Sequence, residues 1–529
     1  LRILKLQEIL RNYSGYRIHA AVLFFIVSTL FFFSGIFFGL DFTDSFFHLN
    51  QAKNSGSDNY LYPFLLSTIS LEIILDYVGE DLIIFRFIHS LLLILSISIP
   101  FLVIRPKISV SKILFISGLV MIAFAPLNFG ILSYDTFSTF TLSIIFSIII
   151  LYWKTRKLYL VVLVSLITGI AVLFRFPNVL LIPVIFLLLP GKNNRFTVSF
   201  FFVSFTLLAV ACGYLLHYKN FNSFLSSSVV FSGNDFKEMI IRYLNDGIKL
   251  FCFVIFLLLN YGLYEKTENS RNQVFFNILP FILLCGFIVC FVIFSKYAMN
   301  YSLLLTSVAL SYVIVKSFKS TSKPNHFRIL LLFAAFMIIY PVGSNTGLYK
   351  ACSLFLLFPF LYCRTSSVVR NYWILIIIFL IPFSFLEKVR MTYEDKNIFT
   401  LNKTLDLPLL NPIRTTQSRN DFLLKVDSLV QDLQEQGIQV YFYGNKSHIF
   451  NYLYPGSDLD LQSFYQPIDD LRFFSDIEEK ISSRGSTAIF VIDDYPERDS
   501  NKNTSLLEDE LQDLGFRKSE KGEVVYYLK

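Results

Sequence analysis

The sequence predicts a mainly α-helical polytopic membrane protein of about 13 transmembrane helices, followed by a C-terminal extracytoplasmic α/β domain. Three observations predict it. The 529 residues have a mean hydropathy of +0.58, with 54% hydrophobic and only 16% charged residues. A soluble chain carries about 25% charged residues, so a soluble enzyme, a disordered chain and a nucleic-acid binder are disfavoured. Apolar stretches of span length recur through most of the chain. The charge is also divided: residues 387–529 hold 25 acidic and 17 basic side chains, a net −8, whereas residues 1–386 are +15.

A hydrocarbon core about 30 Å thick needs roughly 20 apolar residues per helix. Such stretches lie near 18–40, 82–104, 112–130, 136–153, 158–174, 178–190 and 197–216. Others follow near 248–264, 274–294, 302–315, 329–342, 350–363 and 373–386. Several of the later ones reach only about 14 residues and are short enough to be re-entrant. With a cytoplasmic N-terminus, inside segments would carry 20 Lys and Arg against 8 in the outer segments before residue 387, the bias of the positive-inside rule. The first span then reads as an uncleaved signal anchor. Residues 1–386 form the membrane domain, with a first outer loop at 41–81, and residues 387–529 lie on the outer, periplasmic side.

The outer domain has a polar, proline-containing lead-in at Leu407-Pro408 and Asn411-Pro412. Its periodicity predicts helices at 421–436 and 505–514 and strands at 438–443, 487–492 and 524–528, a small α/β unit. Turns at Gln436-Gly437 and Arg484-Gly485 fit αβ connections. The six cysteines all lie in or beside apolar stretches, which suggests packing rather than a disulfide framework or a metal site. No phosphate loop, zinc spacing or fixed-period repeat is present.

Of the 14 acids before residue 387, seven lie in the first outer loop: Asp41, Asp44, Asp58, Glu72, Asp76, Glu80 and Asp81. Ordinary topology can produce an acidic translocated loop, but the local pattern is sharper. Directly after the first span, Asp41, Asp44 and His48 would share one face if this segment is helical. Phe42, Phe46, Phe47 and Leu49 would supply apolar contact at the membrane interface.

A first span followed at once by an Asp-centred motif, then Tyr62-Pro63, then Gly79 through Arg86 opening the second span, resembles the GT-C-fold glycosyltransferases. The nearest branch is that of the polyprenyl-phosphate-sugar-dependent mannosyltransferases and aminoarabinose transferases. The segment Arg175-Phe-Pro-Asn178 is similar to an Arg-Pro segment of that family. The resemblance implies transfer of a hexose or pentose from a polyprenyl-phosphate donor to a glycan, lipid or protein acceptor on the outer face, with inversion at the anomeric carbon. Asp44 matches the catalytic acid and would serve as general base, since a carboxylate partly removed from water is the stronger base.

The family often has Asp-Glu at that motif, whereas Ser45 follows Asp44 here. A second carboxylate is not supplied locally, so no metal ligand is assigned, no cofactor is required and a divalent metal is not favoured.

The leaving phosphate needs cationic stabilisation, for which Arg86, Arg175, Lys296 and Lys350 at outer span ends are candidates. Snorkelling to head groups would explain the same positions. Asp135 is a candidate substrate ligand or, alternatively, a helix cap. Asp41, His48 and His217 complete the substrate-binding candidates, and the remaining histidines read as structural. The expected partners are the lipid-linked donor, its acceptor and membrane lipids, with no nucleic acid, in a bacterial inner membrane. The alternatives are a multi-span transporter or lipid flippase, disfavoured because the acids gather in one outer loop, and a lipid-linked glycan polymerase or ligase.

Overall fold

The computed structural model describes the chain apart from residues 1, 43, 54–63, 106–107, 125–130, 190–194, 218–235, 269–279, 281, 285, 288–298, 320–323, 343–346, 363–366, 391–394, 445, 457–485, 493–510 and 522–523. At some helix ends, including residues 2–17, 44–45 and 216–217, only the backbone is described.

The membrane part runs through α1 (Arg2–Phe33), α2 (Asp44–Lys53), α3 (Leu65–Val78), α4 (Leu82–Ile104), α5 (Val110–Ala123), α6 (Tyr134–Thr155) and α7 (Tyr159–Phe174). It continues through α8 (Leu181–Leu188), α9 (Arg195–His217), α10 (Phe236–Glu268), α11 (Met299–Lys319), α12 (Pro324–Ile339), α13 (Phe358–Tyr362) and α14 (Ser367–Arg390). Three 3₁₀ segments, Ser34–Phe37, Phe176–Leu180 and Gly347–Leu357, interrupt the series among the described residues.

Among the described residues, six helices are long and apolar enough to cross a membrane: Ile18–Phe37, Leu82–Ile104, Tyr134–Thr155, Thr197–Leu215, Ile240–Glu265 and Tyr301–Phe318. Six shorter apolar helices accompany them. Twelve of the thirteen apolar stretches therefore fall on apolar helices, and the other, 274–294, lies largely outside the described residues. Leu23, Leu30, Leu187 and Leu215 stand on the outside of α1, α8 and α9, the surface that lipid covers. The chain is an integral membrane protein.

Lipid tails are as apolar as leucine, so close packing and interhelical hydrogen bonds hold such a bundle together. At Gly169 of α7 a Cβ would come 2.6 Å from the Cβ of Ala209 on α9, so the absent side chain permits the approach of the two helices. Ser143 Oγ donates to the Ser96 carbonyl at 2.6 Å between α6 and α4. The last carbonyls of α5 have no partner within the helix; those of Ala123 and Ile122 accept from Tyr301 Oη at 2.7 Å and Ser384 Oγ at 2.8 Å.

In the C-terminal domain, β1 (Lys403–Thr404) pairs with β2 (Arg414–Thr415), and α15 (Gln417–Glu435) follows. Next come β3 (Gln439–Tyr443), α16 (His448–Leu453), β4 (Thr487–Val491), β5 (Arg517–Lys521) and β6 (Val524–Leu528). The sheet order is β3-β4-β6-β5, with β3 parallel to β4 and the other pairs antiparallel. Thr416 caps α15, accepting from the Arg419 N–H at 3.3 Å, and Phe422, Leu423, Val426, Leu429, Val430 and Leu433 form its buried face. The sequence did not predict β5. Its residues, Arg-Lys-Ser-Glu-Lys, lie mostly exposed on the sheet edge, where charge replaces the apolar alternation that marks a strand and guards against edge pairing.

This domain folds back onto the first outer loop. Gly39 N–H donates to the Arg414 carbonyl at 2.8 Å, and the Leu40 N–H donates to Asp395 Oδ2 at 3.2 Å. The Arg419 guanidinium donates to the Leu40 carbonyl and lies 3.5 Å from Asp395 Oδ1. These bonds fix residues 39 and 40, residues 39–41 are not helical, and the helix begins at Asp44, so Asp41 is not on its face. The expected helical triplet of Asp41, Asp44 and His48 is corrected accordingly. Phe42, Phe46, Phe47 and Leu49 are buried against Phe450, Tyr452 and His448, so they meet the C-terminal domain rather than lipid.

The Asp395–Arg419 pair is buried on both sides, and removing one member of such a pair leaves an uncompensated charge. Asp395→Ala is expected to cost about 3–5 kcal/mol, and Asp395→Asn, which keeps an acceptor, less. Thermal unfolding in detergent and protease cleavage of the C-terminal domain measure both.

Candidate functional site

Helix α6 starts at Tyr134, preceded by extended Ser133 as its N-cap residue. The Ser133 N–H donates to Thr136 Oγ1 at 3.4 Å, and Thr136 Oγ1 in turn lies 2.7 Å from His89 Nδ1. Ser133, not Asp135, therefore occupies the cap position. Asp135 sits in the first turn, where the helix dipole favours negative charge, and its carboxylate is directed at two cations. Lys350 Nζ donates to Asp135 Oδ2 at 2.6 Å and Arg175 Nε lies 3.6 Å from Asp135 Oδ1. The Arg175 and Lys350 side chains are 2% and 13% exposed and that of Asp135 28%, so the cluster opens outward through its carboxylate.

Aromatic side chains surround the cluster. Lys350 Nζ also donates to Tyr134 Oη at 2.9 Å and lies 4.8 Å from the centre of that ring. Phe64 stacks on Tyr134 at 4.2 Å. Tyr340 Oη donates to the Asp135 carbonyl at 2.9 Å and lies 2.9 Å from Thr139 Oγ1.

The two cations are used differently. Arg175, at the break between α7 and the Phe176–Leu180 segment, donates to the carbonyls of Tyr340 and Val342, so its planar fork is engaged with backbone. An ammonium has three N–H donors. Two of those on Lys350 go to Asp135 and Tyr134, and the third has no partner among the described residues. Two cations against one carboxylate give the cluster a formal charge of +1, suited to an anion. Asp135 Oδ1 is a buried acceptor without a hydrogen bond among the described residues.

His48 joins this cluster from α2. Its ring is 5.0 Å from Tyr134 and 6.2 Å from Phe64. Burial pushes its pKa down to about 4, more than nearby Asp135 raises it, with Lys350 and His448 adding to the lowering. His48 is thus a neutral polar contact at pH 7 rather than a cation. Burial likewise lowers His448, on the facing domain, to about 4, against the pull of Asp41.

Among the sequence candidates, the structure brings together Asp135, Arg175, Lys350 and His48. Asp41 is buried beside the His48 and His448 region. Arg86 is fully buried and donates to the carbonyls of Ile36, Phe38 and Gly39, so it fixes the end of the first span and stands apart from the cluster. The Asp44 and His217 side chains, Lys296 and the Tyr62-Pro63 pair lie outside the described residues. Sequence reasoning missed Tyr134, Tyr340 and Phe64. Tyr134 adjoins Asp135 and was within view, but Tyr340 ends an apolar stretch and looks like packing. Among the described residues, no group of three or more His, Cys, Asp or Glu side chains could hold a metal ion.

No family model matches this chain, and no curated protein does. Among solved structures, the chain is similar to the oligosaccharyltransferase of Archaeoglobus fulgidus, in a complex with zinc and sulfate. The identity is 13%, covering 88% of this chain and 68% of the other, with a TM-score of 0.45. It is also similar to ArnT from Cupriavidus metallidurans bound to undecaprenyl phosphate, at 11% identity over 98% of each chain and a TM-score of 0.39. Both are GT-C-fold membrane glycosyltransferases, the class that the sequence motifs resemble. Both TM-scores lie below 0.5, too low for either likeness to decide the chemistry of this chain.

The two buried histidines imply a pH dependence of stability. Unfolded, each protonates near pH 6.5; folded, each does so only near pH 4. Between these values the unfolded chain binds more protons, so stability falls as the pH drops from about 6.5 to about 4. The thermal midpoint in detergent should fall over that window, and His448→Asn should shallow the slope by up to about one proton.

Proposed function

We propose that this protein is a membrane glycosyltransferase that moves a hexose or pentose from a polyprenyl-phosphate donor to a glycan, lipid or protein acceptor on the outer face of a bacterial inner membrane. Its N-terminus is cytoplasmic and its C-terminal domain periplasmic, following the lysine and arginine bias of the segments. The observation that carries the reading is the Lys350–Asp135–Arg175 cluster at the outer helix ends, with one lysine donor left for a ligand.

In this reading Lys350 binds the donor phosphate, and Asp135 and Tyr134 fix the ammonium in place. Arg175 adds positive charge and sets the Tyr340–Val342 backbone. Asp135, already shared by two cations, organises them rather than taking a proton. Asp44 opens α2 four residues before His48, which places both on one helix face, and His48 touches Tyr134. Asp44 accordingly acts as the base. It takes the acceptor hydroxyl proton while the acceptor oxygen bonds to the anomeric carbon. The bond from that carbon to the phosphate oxygen breaks, and the polyprenyl phosphate leaves with the electron pair. One displacement inverts the anomeric centre. The leaving group is already a stable anion, so no general acid is required, and no step passes through a metal or cofactor.

Transfer of labelled sugar from a polyprenyl-phosphate donor to a membrane acceptor tests the reading with the purified full chain. Asp44→Asn should lower the rate by about 10²–10⁴-fold, the range of a general base. Lys350→Met should lower it by about 10²–10³-fold, the range of one charge-stabilising donor. EDTA should leave the rate unchanged. Undiminished transfer in both variants would refute the assignment.

A further inference from the structure

A single helix bonds the chain both where it receives Arg175 and just before Lys350. On α10, Tyr243 Oη donates to the Pro341 carbonyl, next to the Tyr340 and Val342 carbonyls that Arg175 engages. One turn along the same helix, Asp246 Oδ2 accepts from the Leu348 N–H at 3.2 Å. Leu348 is the second residue of the 3₁₀ segment Gly347–Leu357, whose first N–H groups have no partner within the segment.

Asp246 is 2% exposed inside an apolar helix, a costly place for a carboxylate and one that usually marks function. The proposed transfer chemistry does not use it directly. Gly347 has φ +65° and stands so close that a Cβ would overlap Asp246 Oδ2, so glycine is required there both by conformation and by space. With about three residues per 3₁₀ turn, Lys350 lies one turn beyond this anchor.

We propose that Asp246, assisted by Tyr243, is a positioning residue for the phosphate site: by anchoring the start of the Gly347–Leu357 segment to α10 it sets where the Lys350 ammonium stands. This rests on the reading of Lys350 as the donor-phosphate ligand. Anchoring acts on donor binding and leaves the base untouched, so its loss raises the donor KM more than it lowers kcat.

The test uses the purified full chain in nanodiscs, with transfer from a polyprenyl-phosphate sugar and, independently, binding of sugar-free polyprenyl phosphate by thermal shift. Asp246→Ala should raise the donor KM about tenfold with kcat within about threefold, and weaken polyprenyl phosphate binding to match. Asp246→Asn keeps an acceptor and should recover most of the KM. Gly347→Ala should mimic Asp246→Ala, and in the Asp246→Ala background the steric part of its effect should disappear, leaving only the left-handed backbone cost of an alanine. Tyr243→Phe removes one hydroxyl and is expected to fold, and it should raise KM about threefold. An unchanged KM in Asp246→Ala and Tyr243→Phe, alongside a raised KM in Lys350→Met, would overturn the inference and leave the reading of Lys350 standing. No loss of transfer or of lipid-phosphate binding in Lys350→Met would overturn that reading, and the inference with it.

Discussion

Buried guanidinium groups bonded to main-chain carbonyls hold the outer rim of this protein together. Helix ends leave carbonyls without partners, and in a membrane protein those ends meet where water is scarce. Arg86 donates to the carbonyls of Ile36, Phe38 and Gly39 at the end of the first span. Arg175 does so to Tyr340 and Val342, and Arg419 to Leu40. Hydrogen bonds of this kind, with a charged donor, are about twice as strong as neutral ones. The planar fork of arginine also spans two acceptors at once, which an ammonium cannot do with the same rigidity.

That arrangement divides labour between arginine and lysine. The arginines are engaged with backbone and give the rim its shape, whereas Lys350 is held by side chains, Asp135 and Tyr134, and keeps a donor for something else. Asp135 links the two roles, since it lies within ion-pair distance of both Arg175 and Lys350. The C-terminal domain belongs to the same assembly. Through Asp395, Arg414 and Arg419 it fixes residues 39 and 40, and through Ile449 and His448 it seats the start and middle of α2. The helix that bears Asp44 is thereby pressed between a soluble domain and the membrane bundle.

Much of the candidate site was legible because charge is scarce in apolar sequence. Asp135, Arg175 and Lys350 stood out as ionisable residues at the outer ends of spans, and the structure gathers all three. Arg86 stood out for the same reason, yet its guanidinium serves the first span. Charge in an apolar context marks that a polar task exists, and the partner decides which task it is. Asp246 went unremarked because one acid beside Glu238, Arg242 and Lys249 on the same stretch of helix carries no pattern until Leu348 and Gly347 are seen against it.

The sequence by itself determined the helical membrane bundle and the small α/β domain at its end, because hydropathy and periodicity act locally along the chain. It determined neither the edge strand Arg517–Lys521, which is charged, nor the non-helical course of residues 39–41. Only the tertiary structure decided those features, the burial of the α2 aromatics under α16, and the difference between Lys350, held by side chains, and Arg175 and Arg86, bonded to main-chain carbonyls. Apart from the edge strand, which pairs with the next strand in the chain, each depends on hydrogen bonds and contacts between residues far apart, from 47 residues for Arg86 with Gly39 to about 400 for Phe47 with His448. Local pattern has no access to pairings at that separation.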